Sequence, residues 1–258
     1  MKLIPIKTPL IEVNDDLIEI LATSIKKRRI KPKNGDILVV SSKVVALTQG
    51  RIVRYEDIKP SRRARRLAKK YSLDPGFVEV VLREADEVYG GVYRAILTMK
   101  NRIFVANAGV DISNAPKGYA ILWPKNPKDA AEKIKRELEK RFGVKMGVII
   151  SDSYCIPLRA GTIAIALATA GFQAVIDERG KKDLFGKELR ITRRAIADDL
   201  ASAAHVVMGE TDGRVPAVLI RGSRVRLDDS ASNSETFIQP DKCLFSSIYV
   251  KRIKKLRP

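Results

Sequence analysis

Residues 127–171 read PKDAAEKIKRELEKRFGVKMGVIISDSYCIPLRAGTIAIALATAG. Pro127 opens a helix that runs to about Phe142, since proline is tolerated in a first helical turn and not beyond it. Ala130, Ile134 and Leu138 recur at i+4 and form its inward stripe. Glu132–Arg136 and Glu137–Arg141 are spaced as i,i+4 pairs, each contributing roughly 0.2–0.5 kcal/mol. MGVIIS is then a short apolar run with the length of a buried strand. TIAIALATAG is rich in small residues and is expected to be helical, with Gly171 as its stop.

Working outward, Asn14-Asp15-Asp16 opens an earlier helix. Asn14 is its expected cap, the two aspartates suit its positive end, and Lys26–Arg29 suit its negative end. Leu17, Leu21 and Ile25 make its stripe. Gly35-Asp36 leads into ILVVSS, a strand by its β-branched run. Pro60-Ser61 starts a helix with Ala64, Leu67, Ala68 and Tyr71 inside and arginines outside. FVEVVL (77–82) fits either helix or strand. Residues 92–99 and 102–108 read as a hairpin around Lys100-Asn101. Thr192 to about Met208 is a further helix, with Ile196, Leu200, Ala204 and Val207 inside. VPAVLI (215–220) is a strand, and 222–240 are polar and loop-like. Strands and helices mix without strict βαβ alternation, so the expected class is α+β. Residues 1–245 are expected to form one unit, followed by a basic segment, 246–258.

The net charge is +19 over 258 residues. It is concentrated in residues 26–33, 59–70 and 251–257, which hold six, seven and five cations and no acid. The remainder is nearly neutral. A hydrophobic content of 45% fits a folded core. No apolar run approaches the roughly 20 residues needed to span a bilayer, and no secretory leader is evident, so a cytoplasmic protein is expected. Cys155 and Cys243 cannot make a disulfide framework, and with His205 as the one histidine they cannot make a zinc site.

Candidate chemistry lies in acids set among small residues near strand or loop ends: Asp111 in NAGVDISN, Asp152 in IISDS and Glu210 in MGETDG. Their oxygens are the hard ligands that Mg²⁺ or Mn²⁺ takes, and Ser113 and Ser153 could add further oxygens. The competing reading is that each acid caps a turn. His205, among alanines in mid-helix, is expected to be structural.

GDILVVSSK, VANAGVDISN, GVIISDS with PLRAGT, and GKKDLFGKELRITRRAIADDLASAAHVVMGETDGRVPAVLIRG occur in one order and spacing. Through them residues 3–245 resemble the coenzyme F420-0:L-glutamate ligase family. The resemblance implies two intertwined mixed α/β subdomains, usually in a homodimer. It implies GTP-dependent amide formation between L-glutamate and a deazaflavin coenzyme precursor, through an acyl phosphate. It implies two divalent ions, Mg²⁺ or Mn²⁺, with K⁺ as a further candidate. Asp111, Asp152, Ser153 and Glu210 map onto the family's metal ligands, with Asp111 and Asp152 central to catalysis. Nucleotide contacts map onto Pro9, Leu10, Ile11, Ser42, Lys43, Asn114, and the loop carrying Gly209, Thr211, Asp212 and Gly213.

The chain also departs from the family pattern. Leu47 stands where a phosphate-contacting lysine is expected, and Gln49 where a glutamate is. Lys43 could compensate, but on an extended strand it would lie four positions away, moving the charge by about 13 Å. Cys155 and Ile156 replace a glycine and an arginine, which removes a forked donor. Metal and nucleotide binding are therefore expected to survive better than recognition of the deazaflavin. The alternatives are a relative with another carboxylate acceptor or no catalysis, and a nucleic-acid-binding protein drawing on the basic stretches. The second is disfavoured by an aromatic content of 6% and by the absence of a nucleic-acid-reading motif.

Overall fold

The computed structural model describes residues 1–231 and 236–245. The basic segment expected at 246–258 lies outside them. A five-stranded sheet organises the chain. Its strands are β1 (Lys2–Ile6), β2 (Asp36–Ser41), β8 (Met146–Cys155), β9 (Thr162–Ala170) and β12 (Ala217–Arg221), in the order β1-β12-β2-β8-β9. Only β2 and β8 run parallel; the other pairs are antiparallel. Helices α1 (Leu17–Lys27) and α5 (Pro127–Phe142) cover one face, and α6 (Ile196–Met208) covers the other. The buried run DILVVS of β2 has no polar face because both of its sides are packed.

The crossover from β2 to β8 carries a second region with its own core. It contains α2 (Ser42–Thr48), the ribbon of β3 (Ile52–Arg54) with β7 (Tyr119–Ile121), and helices α3 (Arg62–Tyr71) and α4 (Pro75–Glu84). It also holds a meander of β4 (Glu87–Val92), β5 (Ala95–Lys100) and β6 (Ile103–Ala106). The short pair β10 (Ile176–Asp177) and β11 (Arg193–Arg194) closes a projecting arm before α6. The architecture is α+β, as expected. No helix among the described residues is long and apolar enough to cross a membrane.

The main correction concerns TIAIALATAG, which is strand β9 and not a helix. Alanine is a good helix former, but here it alternates with larger residues at a period of two. The alternation pairs with β8, and a bulge at Leu167 shifts the register between Ile150 and Ser151. The bulge also switches faces. Ala168 and Ala170 pack with α1 and α5, whereas Ala164 and Ala166 pack with α6. Asp198 accepts a hydrogen bond from the Ala166 N–H beside the bulge, at 2.9 Å.

Smaller corrections have local causes. Asp16, not Asn14, caps α1 by accepting from the Glu19 N–H, while Asn14 takes a left-handed turn at φ 65°. The expected pairs on α5 do not form: Glu132 meets Lys128, and Arg141 reaches across to Glu19. Helix α6 starts at Ile196, because residues 193–194 are committed to β11. The ambiguous 77–82 is helical, capped by Asp74. Chain beyond Ser41 is not strand but α2, so Lys43 and Leu47 are one helical turn apart on one face.

Candidate active site

Strand β2 ends at Ser41, opposite Ser151, while β8 continues to Cys155 paired only with β9. Asp152 is thus the first residue of β8 without a neighbour on the β2 side. This is the carboxyl end of the parallel pair, the position at which open sheets present a crevice. A cavity of about 540 Å³ opens there. Its walls are Thr8–Ile11, Ser41, Lys43, Val44 and Leu47, Asp111 and Asn114, and Ser151–Ser153. The end of α6 and the loop that follows it complete the enclosure, with His205, Met208–Asp212 and Arg214–Pro216.

The resemblance-derived residues gather here with two qualifications. Ser42 is buried and does not line the cavity; its hydroxyl donates to Asp152 Oδ1 at 2.7 Å. Gly213 lies in the loop but is not part of the wall. Of the four departures, only Leu47 faces the cavity. Gln49 instead ties the end of α2 to the backbone of Lys125, donating at 3.1 Å and accepting at 2.8 Å. Cys155 and Ile156 are exposed at the end of β8, where the chain turns toward β9.

Asp152 and Asp111 face this space under opposite influences. Burial pushes the Asp152 carboxyl up, against hydrogen bonds from Ser42 and Trp123 and the attraction of Lys43. Trp123 Nε1 donates to its Oδ2 at 2.6 Å. Burial also acts to raise Asp111, but the Lys43 ammonium at 2.6 Å and donors from Ser113 outweigh it, and the carboxyl is held below its ordinary value. On the far wall Glu210 Oε1 lies 2.6 Å from His205 Nε2 and accepts from Thr162 Oγ1 at 3.4 Å. Gly209 turns the chain at the end of α6, which brings Glu210 back onto His205. Asn114 donates to the Thr211 carbonyl at 3.4 Å and so links the inserted region to the loop.

Sequence reasoning missed Trp123 and Thr162, and assigned His205 to structure; Arg214 falls within the loop Gly209–Val215 that the resemblance assigned to the nucleotide. A histidine in the last turn of a helix, with a glycine and an acid just beyond, was the available signal for His205.

These groups suit a metal in chemistry but do not form a cage. Four carboxylates (Asp111, Asp152, Glu210 and Asp212) and three serines (Ser41, Ser151 and Ser153) line one cavity, all hard oxygen donors. Among the described residues no three His, Cys, Asp or Glu side chains form a group that could hold an ion. Mg²⁺ requires fewer protein ligands than such a cage, because it keeps waters and is bound through one or two carboxylates plus substrate phosphates.

The sequence matches the F420-0:gamma-glutamyl ligase family over residues 5–222. The coenzyme F420:L-glutamate ligase of Methanocaldococcus jannaschii is 47% identical over 194 residues, 75% of this chain and 78% of the relative. That of Methanopyrus kandleri is 40% identical over 215 residues, 83% of each chain. That of Methanothermobacter thermautotrophicus is 39% identical over 215 residues, 83% of this chain and 85% of the relative. This chain is an enzyme of the F420-0:gamma-glutamyl ligase family.

Proposed function

We propose that this enzyme joins L-glutamate to the carboxylate of coenzyme F420-0 at the expense of GTP. The acceptor carboxylate takes the γ-phosphoryl group, GDP leaves, and the glutamate amine displaces phosphate to form the amide. One observation carries the reading: carboxylates from the inserted region (Asp111), the sheet (Asp152) and the loop after α6 (Glu210) converge on one cavity that also contains Lys43 and Arg214. Those two cations suit phosphate oxygens, and the apolar edge of Pro9, Leu10 and Ile11 suits a nucleobase. Asp111, Asp152, Ser153 and Glu210 would hold Mg²⁺ or Mn²⁺, which supplies charge neutralisation on the transferring phosphoryl group.

We place the enzyme in the cytoplasm as a homodimer. Leu184, Phe185 and Ile191 stand exposed on the arm, and exposed large apolar groups are candidates for an interaction surface. Leu47 in the cavity wall is the one observation favouring a different carboxylate acceptor. The deciding experiment incubates the protein with Mn²⁺ or Mg²⁺, L-glutamate, and GTP or ATP, using the deazaflavin precursor against a panel of other carboxylates. GDP release that requires both glutamate and the precursor is expected. Release supported by another carboxylate, and not by the precursor, would replace this substrate assignment.

A further inference from the structure

Asp152 is held from behind by Trp123, the only tryptophan in the chain. Trp123 follows β7 in the inserted region, far from β8 in sequence, and does not line the nucleotide-sized cavity. Trp123 is held through both its backbone and its ring. Arg51 Nε donates to its carbonyl at 3.1 Å, and Lys100 Nζ lies 5.5 Å from the ring centroid. Arg51 and Lys100 both bind Glu84, at 2.9 Å and 2.5 Å, so these two supports are themselves tied together. Leu167, the bulged residue of β9, packs with the ring and Val105. Gly109 lies flush against the indole at φ +71°, where a β-carbon would come within 2.2 Å of Nε1.

Trp123 is nearly buried and also borders a second cavity of about 550 Å³. What the supports fix is the direction of the N–H, which points at Asp152 Oδ2. With Ser42 on Oδ1, both carboxylate oxygens are oriented by neutral donors that leave further lone pairs available.

We propose that Trp123 is a positioning residue that sets the orientation of the Asp152 carboxylate for divalent metal. The proposal rests on the metal-binding role assigned to Asp152 above. Groups that hydrogen-bond a ligating side chain typically change metal affinity about 10–100-fold when removed. A mere packing role would change stability and leave affinity alone.

The test measures Mn²⁺ binding without and with GDP, against a protein-free GDP control, by the electron paramagnetic resonance of free Mn²⁺, with thermal melting alongside. Trp123→Phe keeps most of the ring and removes the donor. Its Kd for Mn²⁺ is expected to rise about 10–100-fold in a folded protein. Gly109→Ala keeps the tryptophan but pushes a methyl into Nε1, and is expected to weaken binding in the same direction; it decides the matter if Trp123→Phe fails to fold. In the wild type, bound Mn²⁺ should quench the tryptophan emission, because the sole indole touches the ligand. Affinity within about twofold of wild type in a folded Trp123→Phe protein would overturn the proposal. Mn²⁺ binding that leaves wild-type emission unchanged would overturn it too, by placing the ion away from Asp152. A wild type that binds no Mn²⁺ in either condition would sink the metal assignment itself and the proposal with it.

Discussion

Ile150 and Asp152 stand on the same side of β8, one pleat apart, and serve opposite ends. Ile150 is fully buried in the core beneath α1 and α5. Asp152 lines the cavity. The difference comes from their neighbours: opposite Ile150 is Val40 of β2, and one residue later β2 turns away into α2. The same strand is thus a closed element in its first half and an open rim in its second. The chemistry-bearing groups all stand at the rim, on the strand, the inserted region and the loop after α6.

The comparison can be broken most severely in the closed half. Ile150→Ala is expected to cost about 2–5 kcal/mol by leaving a cavity, which lowers Tm by roughly 5–15 °C in a chain of this size. Turnover well below the melting range should survive. Denaturant or thermal melts against an activity assay would check both halves of that statement.

Lys43→Met acts at the rim. Loss of a charged hydrogen-bond donor is expected to raise KM for GTP roughly tenfold or more, with a smaller effect on stability. A pH signature accompanies it. Since Asp111 is held below its ordinary value, its pairing with Lys43 adds stability above the usual carboxylate range, and that contribution is lost as pH falls through the lowered value. Melting curves across acidic pH should therefore fall less steeply for Lys43→Met than for wild type.

Further out, the arm tests the proposed homodimer: wild type is expected to sediment as a dimer and Leu184→Asp with Phe185→Asp as a monomer, since both side chains are almost fully exposed there. The smallest effect is expected on α3. Arg62, Arg63, Arg65 and Arg66 are exposed and form no ion pair among the described residues; neutralising them should leave turnover at high salt unchanged. A loss of turnover there would tie the basic helix to the chemistry.

The fold was legible where a pattern is local. The stripe of α5, the cap at Ser61 and the β5–β6 hairpin all follow from residues that are neighbours in the chain. β9 was misread because its alanines satisfy helix propensity, and only the presence of β8 alongside decides for a strand. The acids of the site were legible as acids near strand and loop ends. Their mutual arrangement was not, because it depends on where β2 stops. Trp123 carried no local signal: its contact with Asp152 is made by folding an inserted region back onto the sheet. Leu47 was identified as a departure, but its place beside Lys43 required knowing that the segment is helical and not extended.

The most direct test is Asp152→Ala, assayed for glutamylated product by mass spectrometry with GTP, divalent metal, L-glutamate and the deazaflavin precursor. The account predicts one GDP released per amide formed by the wild type. It predicts no product from the variant, although the variant stays folded with a Tm closer to wild type than that of Ile150→Ala. Product formation by folded Asp152→Ala at the wild-type rate would contradict it.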